Sequence, residues 1–161
     1  MKISKDAEGV RVRMGSIEAD TLSSLVADLA NALQPGCLDA ADPVYQRLFP
    51  DGYRDNPEAA AAFRVLTEDS LLTERRERAM RCLAELSEAA TGAKKLDVHL
   101  GPDAAQRWIQ VLNDMRLAVG TRLGVTEDHD GYGFDPKDPE AMSWSIYAYL
   151  TGVQDSVVRA L

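Results

Sequence analysis

Hydrophobic and charged residues alternate near the start of the chain. Val10, Val12 and Met14 share one side of an extended segment, and arginines occupy the other side. A turn-forming run at residues 6–9 separates this segment from an earlier apolar position. The pattern predicts a short β-hairpin over residues 1–14, which must pack on a larger element because two strands alone are only marginally stable.

Helical spacing replaces this alternation in the rest of the chain. A first helix is predicted between an N-cap at Ser16 and a stop at residues 34–36. Three later helix starts share one device, a capping Asp or Asn followed directly by Pro, whose ring suits the first helical position. They are Asp42-Pro43, Asn56-Pro57 and Asp138-Pro139. The first of them opens a short element from Val44 to Phe49.

The apolar spacing after Asn56 is interrupted by polar residues at Thr67 to Ser70. An unbroken helix from Pro57 to Ala90 would be unusually long for a globular domain, so we expect a break or a sharp kink at the interruption. Four arginines beyond it are interleaved with glutamates, which favours a solvated helix face over a nucleic-acid surface. The arginines are Arg75, Arg76, Arg78 and Arg81.

Two further helices complete the predicted architecture. The helix over residues 103–123 has apolar positions on more than one side, which indicates a central place in the fold. The last helix runs from Pro139 towards Leu161. The fold class is therefore mainly α, a single-domain bundle of about five or six helices with a short N-terminal β-hairpin. One globular domain covers residues 1–161, with an acidic loop at residues 125–138.

Arg116 falls inside the apolar stripe of the central helix. Because a buried guanidinium without a partner is very costly, we expect it to meet helix-end carbonyls or a carboxylate, with Glu68 and Asp155 as candidates. Two interpretations stay open: a buried polar network that fixes helix register, or a pocket for a small anion such as a carboxylate or phosphate. The candidate residues are Arg64, Glu68, Asn113, Arg116, Arg122 and Asp155. Gly120, in the interior of the same helix, costs about 1 kcal/mol relative to Ala, which is tolerable if another backbone must approach closely.

Aromatic residues near the end of the chain suggest a surface for a protein partner or a second copy. Trp144, Tyr147 and Val158 form a strip opposite the core face of the last helix, where packing within the chain is the alternative. The loop before that helix, Thr126 to Glu140, carries six acidic residues and one lysine. It also contains two aromatic residues that favour a binding role. These are Tyr132 and Phe134. The loop does not fit a calcium site, because its spacing puts Tyr132 and a proline at ligand positions.

Composition and charge mainly disfavour certain partners, locations and kinds of site. With 161 residues, 45% hydrophobic and 27% charged, the chain suits one globular domain. Its net charge of -8 disfavours nucleic acid and anionic membranes, and no signal peptide or membrane span is evident, so we predict the cytoplasm. Cys37 and Cys82 predict an exposed and a buried thiol rather than a disulfide or metal site. His99 and His129 lack a catalytic context and are expected at the surface. No catalytic residue, metal or cofactor is predicted.

Three stretches resemble a known family. They are LFPDGYRDNPEAAAAFRVLTEDSL from Leu48, WIQVLNDMRLAVGTRLGVTED from Trp108 and YLTGVQDSVVRAL from Tyr149. The family comprises uncharacterised small actinobacterial proteins, a domain of unknown function whose genes often lie beside that of the Clp protease adaptor. The resemblance implies a link to regulated proteolysis but no established activity.

These observations predict a non-enzymatic helical interaction or regulatory protein, with a homodimer or another protein as partner. The alternative is a binder of a small anionic metabolite, or an enzyme acting on one, at a pocket centred on Arg116. Some relatives carry a transcriptional-regulator label. A transcriptional regulator is the third hypothesis, and it is disfavoured because no helix looks like a basic recognition helix.

Overall fold

The computed structural model describes residues 1–53, 55–90, 95–126 and 137–161. Within them lie three strands and five helices. In chain order they are β1 (Lys2–Lys5), β2 (Val10–Gly15), α1 (Ser16–Ala32), α2 (Pro43–Leu48), α3 (Pro57–Ala90), β3 (Lys95–Leu100), α4 (Pro102–Arg122) and α5 (Ala141–Ala160). The mainly helical, single-domain prediction with an N-terminal hairpin is confirmed.

The hairpin belongs to a three-stranded antiparallel sheet in the order β1-β2-β3. Val12 is the Cα partner of Ile3 on one side and of Val98 on the other. The third strand was not predicted, although its sequence KLDVHL buries every second residue in the same way as β2. The sheet gives the hairpin the additional support that two strands require.

Side-chain caps fix two of the helix starts as predicted. Asp42 Oδ1 accepts a hydrogen bond from the Val44 amide at 2.8 Å, and Asn56 Oδ1 accepts from the Ala59 amide at 3.0 Å. Asp138 instead caps a turn, so that α5 begins later, at Ala141. At α1 the N-cap is Gly15 and not Ser16, which is the first helical residue.

α3 runs unbroken over 34 residues, so the expected break at Thr67 to Ser70 is wrong. The Thr67 hydroxyl donates to the Phe63 carbonyl at 2.9 Å, which satisfies it inside the helix. Asp69 and Ser70 are exposed, where polar side chains do not oppose helix formation. The interruption marks a change in surroundings and not in backbone conformation.

The buried core surrounds α4, which packs against α1, α2, α3, α5 and β3, as its apolar pattern predicted. One cluster of buried side chains includes Trp108 and Leu112 from α4 and Leu150 from α5. α3 contributes to this cluster only through its second half, residues 71–90. No described helix is both long enough and apolar enough to cross a membrane.

Candidate functional site

The six residues predicted to form one network or pocket lie in separate places. Arg122 donates to Asp42 at 2.6 Å, which ties the end of α4 to the start of α2. Asp155 pairs with Arg159 one turn further along α5, with 3.1 Å between Oδ1 and Nε. Asn113 makes no side-chain hydrogen bond within the described part of the chain. Of the six, only Arg64 and Glu68 share a site, which is described below.

Arg116 is held by neutral oxygens at the interface of α4 and α5. Its Nε donates to Thr151 Oγ1 at 3.0 Å, and its Nη1 donates to Gln154 Oε1 at 2.6 Å. The expectation that Glu68 or Asp155 pairs with it is therefore wrong. Because Arg116 is only half-buried, it keeps part of its solvation and does not require a buried carboxylate.

The strip of large side chains on α5 packs partly within the chain. A Cβ atom on Gly120 would lie 3.0 Å from the Tyr147 ring, so the glycine allows the ring to approach α4. The guanidinium of Arg116 lies 5.6 Å from the centre of the same ring, within cation–π range. Trp144 meets Tyr147 edge to face at 6.4 Å, whereas Val158 is exposed. Tyr147 is thus a contact between helices.

The predicted binding residues of the acidic loop fall outside the part of the chain that the structure describes. Tyr132, Phe134 and His129 lie outside the described residues, which stop at residue 126 and resume at 137. The other histidine, His99, is exposed on β3 as predicted.

A buried ion pair joins α3 to α4, and the sequence did not predict it. Asp114 is 3% exposed and is the only buried charged residue among those described. It pairs with Arg75, which also donates to the Leu48 carbonyl at 2.9 Å and lies 5.3 Å from the Phe49 ring centre. The prediction that Arg75 lies on a solvated face is therefore wrong. The sequence did contain a signal for the burial of Arg75, because its spacing places it on the same face of α3 as the buried Cys82.

Burial dominates the electrostatics of this pair. It raises the pKa of Asp114 above the ordinary value, while the nearby Arg75 opposes the shift. The second carboxyl oxygen of Asp114, Oδ2, is buried without a hydrogen-bond partner. The pair therefore anchors the second half of α3 but leaves one polar atom unsatisfied.

Two other arginines of this group, Arg78 and Arg81, form the mixed-charge pairs that the sequence predicted. Arg78 donates to Glu74 at 2.9 Å, and Arg81 lies 3.9 Å from Glu77, both one turn apart on the helix. These pairs neutralise part of the positive charge on that face of α3. The prediction against a basic recognition helix stays a prediction.

A cavity of about 220 Å³ lies between α2 with the residues that follow it and α3, mainly its first half, residues 57–70. We call it the α2–α3 cavity. Arg64 closes one side by pairing with Asp51, and Phe63 packs on Gly52 and on the Tyr53 ring. Other lining residues are Tyr45, Leu48, Phe49, Pro50, Ala60, Thr67, Glu68, Leu71 and Arg75.

Tyr45 brings an unsatisfied polar group to the wall of this cavity. The residue is 2% exposed, and its hydroxyl has no hydrogen-bond partner. Burial raises the pKa of Tyr45 to about 12, and the carboxylate of Glu68 adds to the shift although the two groups do not meet hydrogen-bond geometry. The hydroxyl therefore stays protonated near neutral pH and can both donate and accept.

The first half of α3 also carries a strongly exposed apolar surface. Val65 is 84% exposed and Leu66 is 82% exposed, next to each other on the helix. Ala61 and Ala62 are exposed one turn earlier. We call these four residues the α3 apolar face. Side chains of this kind normally pack inside a domain or against a partner.

The cysteines occupy the environments that the sequence predicted. Cys37 is exposed, Cys82 is buried, and both are free. Burial raises the pKa of Cys82 to about 12, so that its thiol keeps its proton. No group of three or more potential metal ligands occurs among the residues that the structure describes.

The fold and these sites define a small helical domain with an anchored half-helix, a lined cavity and an unpartnered apolar face. The chain belongs to the family described as "Domain of unknown function (DUF2017)", which matches residues 1–161. The predicted resemblance to a family of unknown function is thereby confirmed. No solved structure matches the chain.

Several mycobacterial proteins are similar to this chain. The "Oxidative stress regulator AosR" of Mycobacterium tuberculosis is 28% identical over 171 residues, which cover 92% of this chain and 70% of the relative. The protein of the same name from Mycobacterium bovis gives the same values. The "Putative oxidative stress regulator AosR" of Mycobacterium leprae is 30% identical over 134 residues, 74% of this chain and 58% of the relative.

Proposed function

We propose that this chain is a non-enzymatic regulatory protein that binds a basic, amphipathic segment of a partner protein on the α3 apolar face. The exposure of Val65 and Leu66 is the observation that carries the proposal. The names of the mycobacterial relatives support a role in regulating the response to oxidative stress.

The apolar face offers binding free energy that the isolated chain does not use. Transferring one such side chain out of water contributes about 1.5–3 kcal/mol. Val65 and Leu66 are neighbours, and Ala61 and Ala62 extend the surface towards the start of the helix. A helix or extended segment with its own apolar stripe can cover this surface.

The charges around the face select the partner's chemistry. Glu58 and Asp69 are exposed on the same side of α3 as Val65. The nearby basic residue Arg64 is engaged with Asp51 at the cavity. An acidic rim around an apolar centre favours a partner whose apolar residues are flanked by Lys or Arg.

A second copy of the chain is the competing occupant. It would bring the same acidic rim against itself, and each copy carries a net charge of -8. Repulsion of this kind opposes association at moderate ionic strength. We therefore favour a different, basic partner over the homodimer.

The proposed location rests on the sequence pattern, and the proposed process rests on the family resemblance. We propose the cytoplasm as its location and regulated proteolysis as the process that the partner serves. A transcriptional role remains disfavoured, because Arg75, Arg78 and Arg81 all face acidic partners within α3 and α4. The pocket centred on Arg116 has less support, since Thr151 and Gln154 occupy that guanidinium.

The experiment measures binding of a labelled amphipathic peptide of leucine and lysine by fluorescence anisotropy. A twin peptide with glutamate in place of lysine tests the charge requirement. The double variant Val65→Asp/Leu66→Asp should bind the lysine peptide at least roughly tenfold more weakly. The double variant Ile17→Asp/Met142→Asp adds the same charge at two other exposed apolar positions and should bind as the original chain does.

The two aspartates in Val65→Asp/Leu66→Asp distinguish binding at the apolar face from attraction between net charges. If attraction between net charges alone held the peptide, Val65→Asp/Leu66→Asp would bind more tightly, and the proposal would be wrong. Equal affinity for the lysine and glutamate peptides would also contradict it. Sedimentation velocity on the same samples tests the other occupant: a dimer that Val65→Asp/Leu66→Asp abolishes would assign the face to a second copy.

A further inference from the structure

We propose that the α2–α3 cavity binds a small α-amino acid with an apolar side chain. In this arrangement Glu68 receives the ammonium group, Arg64 receives the carboxylate, and the Tyr45 hydroxyl completes the polar contacts. The inference goes beyond the proposed function and does not depend on it, because the cavity and the α3 apolar face are separate surfaces of the same half-helix.

Glu68 supplies an unmatched negative charge at the cavity wall. It is half-buried, and no ion pair within the described ranges includes it. The other carboxylate lining the cavity, that of Asp51, is engaged by Arg64. The neutral Tyr45 hydroxyl does not balance this charge. A partly desolvated carboxylate without an ion-pair partner favours a cationic group, and an ammonium group meets this need in a small volume.

Arg64 supplies the complementary positive charge one helix turn away. It uses a terminal nitrogen for Asp51, and a guanidinium has five N–H donors, so further donors remain for a ligand carboxylate. Arg64 and Glu68 are four residues apart on α3 and line the same cavity, yet they form no ion pair with each other. Two opposite charges held apart on one wall match a zwitterion better than a simple cation or anion.

The Tyr45 hydroxyl, on which Glu68 acts electrostatically, is a second indication of a ligand at the same cavity wall. It is almost fully buried and lacks a partner with hydrogen-bond geometry, a state that is costly for a polar group. Glu68 and Arg64 both act electrostatically on this hydroxyl, so the three polar groups converge. A ligand N–H or carboxylate oxygen would satisfy it.

The size and walls of the cavity limit the ligand. Ligand pockets commonly measure about 300–1,000 Å³, and this one measures about 220 Å³. Apolar surface comes from Leu48, Phe49, Phe63 and Leu71. A molecule of amino-acid size with an aliphatic or aromatic side chain fits both limits.

Calorimetry on the full chain tests the proposal with L-leucine, L-methionine and L-phenylalanine as probes. At least one should bind saturably and raise the melting temperature. Isoamylamine lacks the carboxylate of leucine and isocaproate lacks its ammonium group, so neither should bind comparably. Absence of saturable binding by all three amino acids would overturn the proposal. Equally tight binding of the amine or the acid would also overturn it, by showing a simple cation or anion site.

Variants connect the binding to the cavity. Glu68→Gln and Arg64→Gln should each weaken binding of the best amino acid by roughly tenfold or more, whereas Glu58→Gln, on the same helix but outside the cavity, should not. Tyr45→Phe should weaken binding without lowering the melting temperature, because the lost hydroxyl had no partner. Unchanged affinity in Glu68→Gln would refute the assignment.

A last variant separates this inference from the proposed function. Val65→Asp/Leu66→Asp should lose the lysine peptide but keep the amino acid. Loss of the amino acid in that correctly folded variant would contradict a site confined to the cavity.

Discussion

The two halves of α3 are continuous in backbone and opposite in surroundings. In the second half Ala79, Cys82 and Leu86 are buried in the core. In the first half only Ala60 is buried, while large apolar side chains face solvent. Helix continuity therefore does not require continuous packing, and a helix that extends beyond its core can serve as a binding element.

The Arg75–Asp114 pair lies near the start of the second half. Arg75 reaches from α3 to Asp114 on α4 and to the carbonyl of Leu48 on α2. Before this pair, α3 contacts the residues after α2 across the cavity, through Phe63 and Arg64. The pair thus anchors the beginning of the second half to two other helices.

Breaking the anchor should have the largest effect. Asp114→Ala leaves Arg75 partly buried without its counterion, and we expect a loss of about 3–5 kcal/mol in the free energy of unfolding. Urea denaturation measures it. Glu77→Ala removes the exposed partner of Arg81 and should cost at most about 0.5 kcal/mol. Similar losses in the two variants would contradict the anchoring role.

One substitution made in each half tests the packing difference directly. Leu86 is 1% exposed, so Leu86→Ala should cost about 2–5 kcal/mol through lost burial and a residual cavity. Leu66→Ala changes an exposed side chain and should alter stability by less than about 0.5 kcal/mol. Urea denaturation of both variants provides the comparison. A loss above about 1 kcal/mol for Leu66→Ala would mean that the apolar face is covered within the chain.

Glycine substitutions at exposed alanines should show a smaller difference in stability between the two halves of α3. Ala84→Gly lies in the anchored half and should cost about 1 kcal/mol in global unfolding. Ala62→Gly should cost clearly less, because the first half is expected to open before the core unfolds. The same denaturation assay reports both, and equal costs would show that α3 unfolds as one cooperative unit.

The pH dependence should give a smaller signal of defined sign. Burial raises the pKa of Asp114 in the folded chain above the unfolded value of about 3.9. The stability that protonation contributes is therefore complete below that value and is lost as the pH rises through the folded pKa. The free energy of unfolding of the original chain minus that of Asp114→Asn should fall as the pH rises from about 4 through the folded pKa of Asp114.

Urea denaturation at a series of pH values measures this difference. Subtracting the two free energies cancels the pH dependence that both chains share. This includes the contributions of the carboxyls of Asp42 and Asp97, whose lowered pKa values make stability rise with pH. A difference that rises with pH would show that the attraction of Arg75 outweighs burial.

Local pattern predicted much of the fold. The alternation around Val12 predicted the hairpin, and the Pro-containing starts predicted α2 and α3. The strand β3 was missed, although Leu96 and Val98 alternate with polar residues in the same way. The continuity of α3 was also missed, because polar residues at Thr67 to Ser70 resemble a helix end when the surroundings are unknown.

The candidate site was less accessible to sequence reasoning. Arg75 lies on the apolar side of α3, which hinted at a buried partner, but its pairing with Asp114 depends on how α3 crosses α4. Arg116 was correctly marked as unusual, yet its neutral partners Thr151 and Gln154 come from another helix. The cavity depends on the distance between α2 and the first half of α3, which no local pattern encodes.

Native-state hydrogen exchange along α3 tests the central claim most directly. In the free chain the amides of residues 57–70 should exchange much faster than those of residues 79–86, where α3 packs on the core. Adding the lysine amphipathic peptide should slow exchange in residues 57–70 and leave residues 79–86 unchanged. Equal protection of both halves in the free chain, or no change in the first half at saturating peptide, would contradict the account.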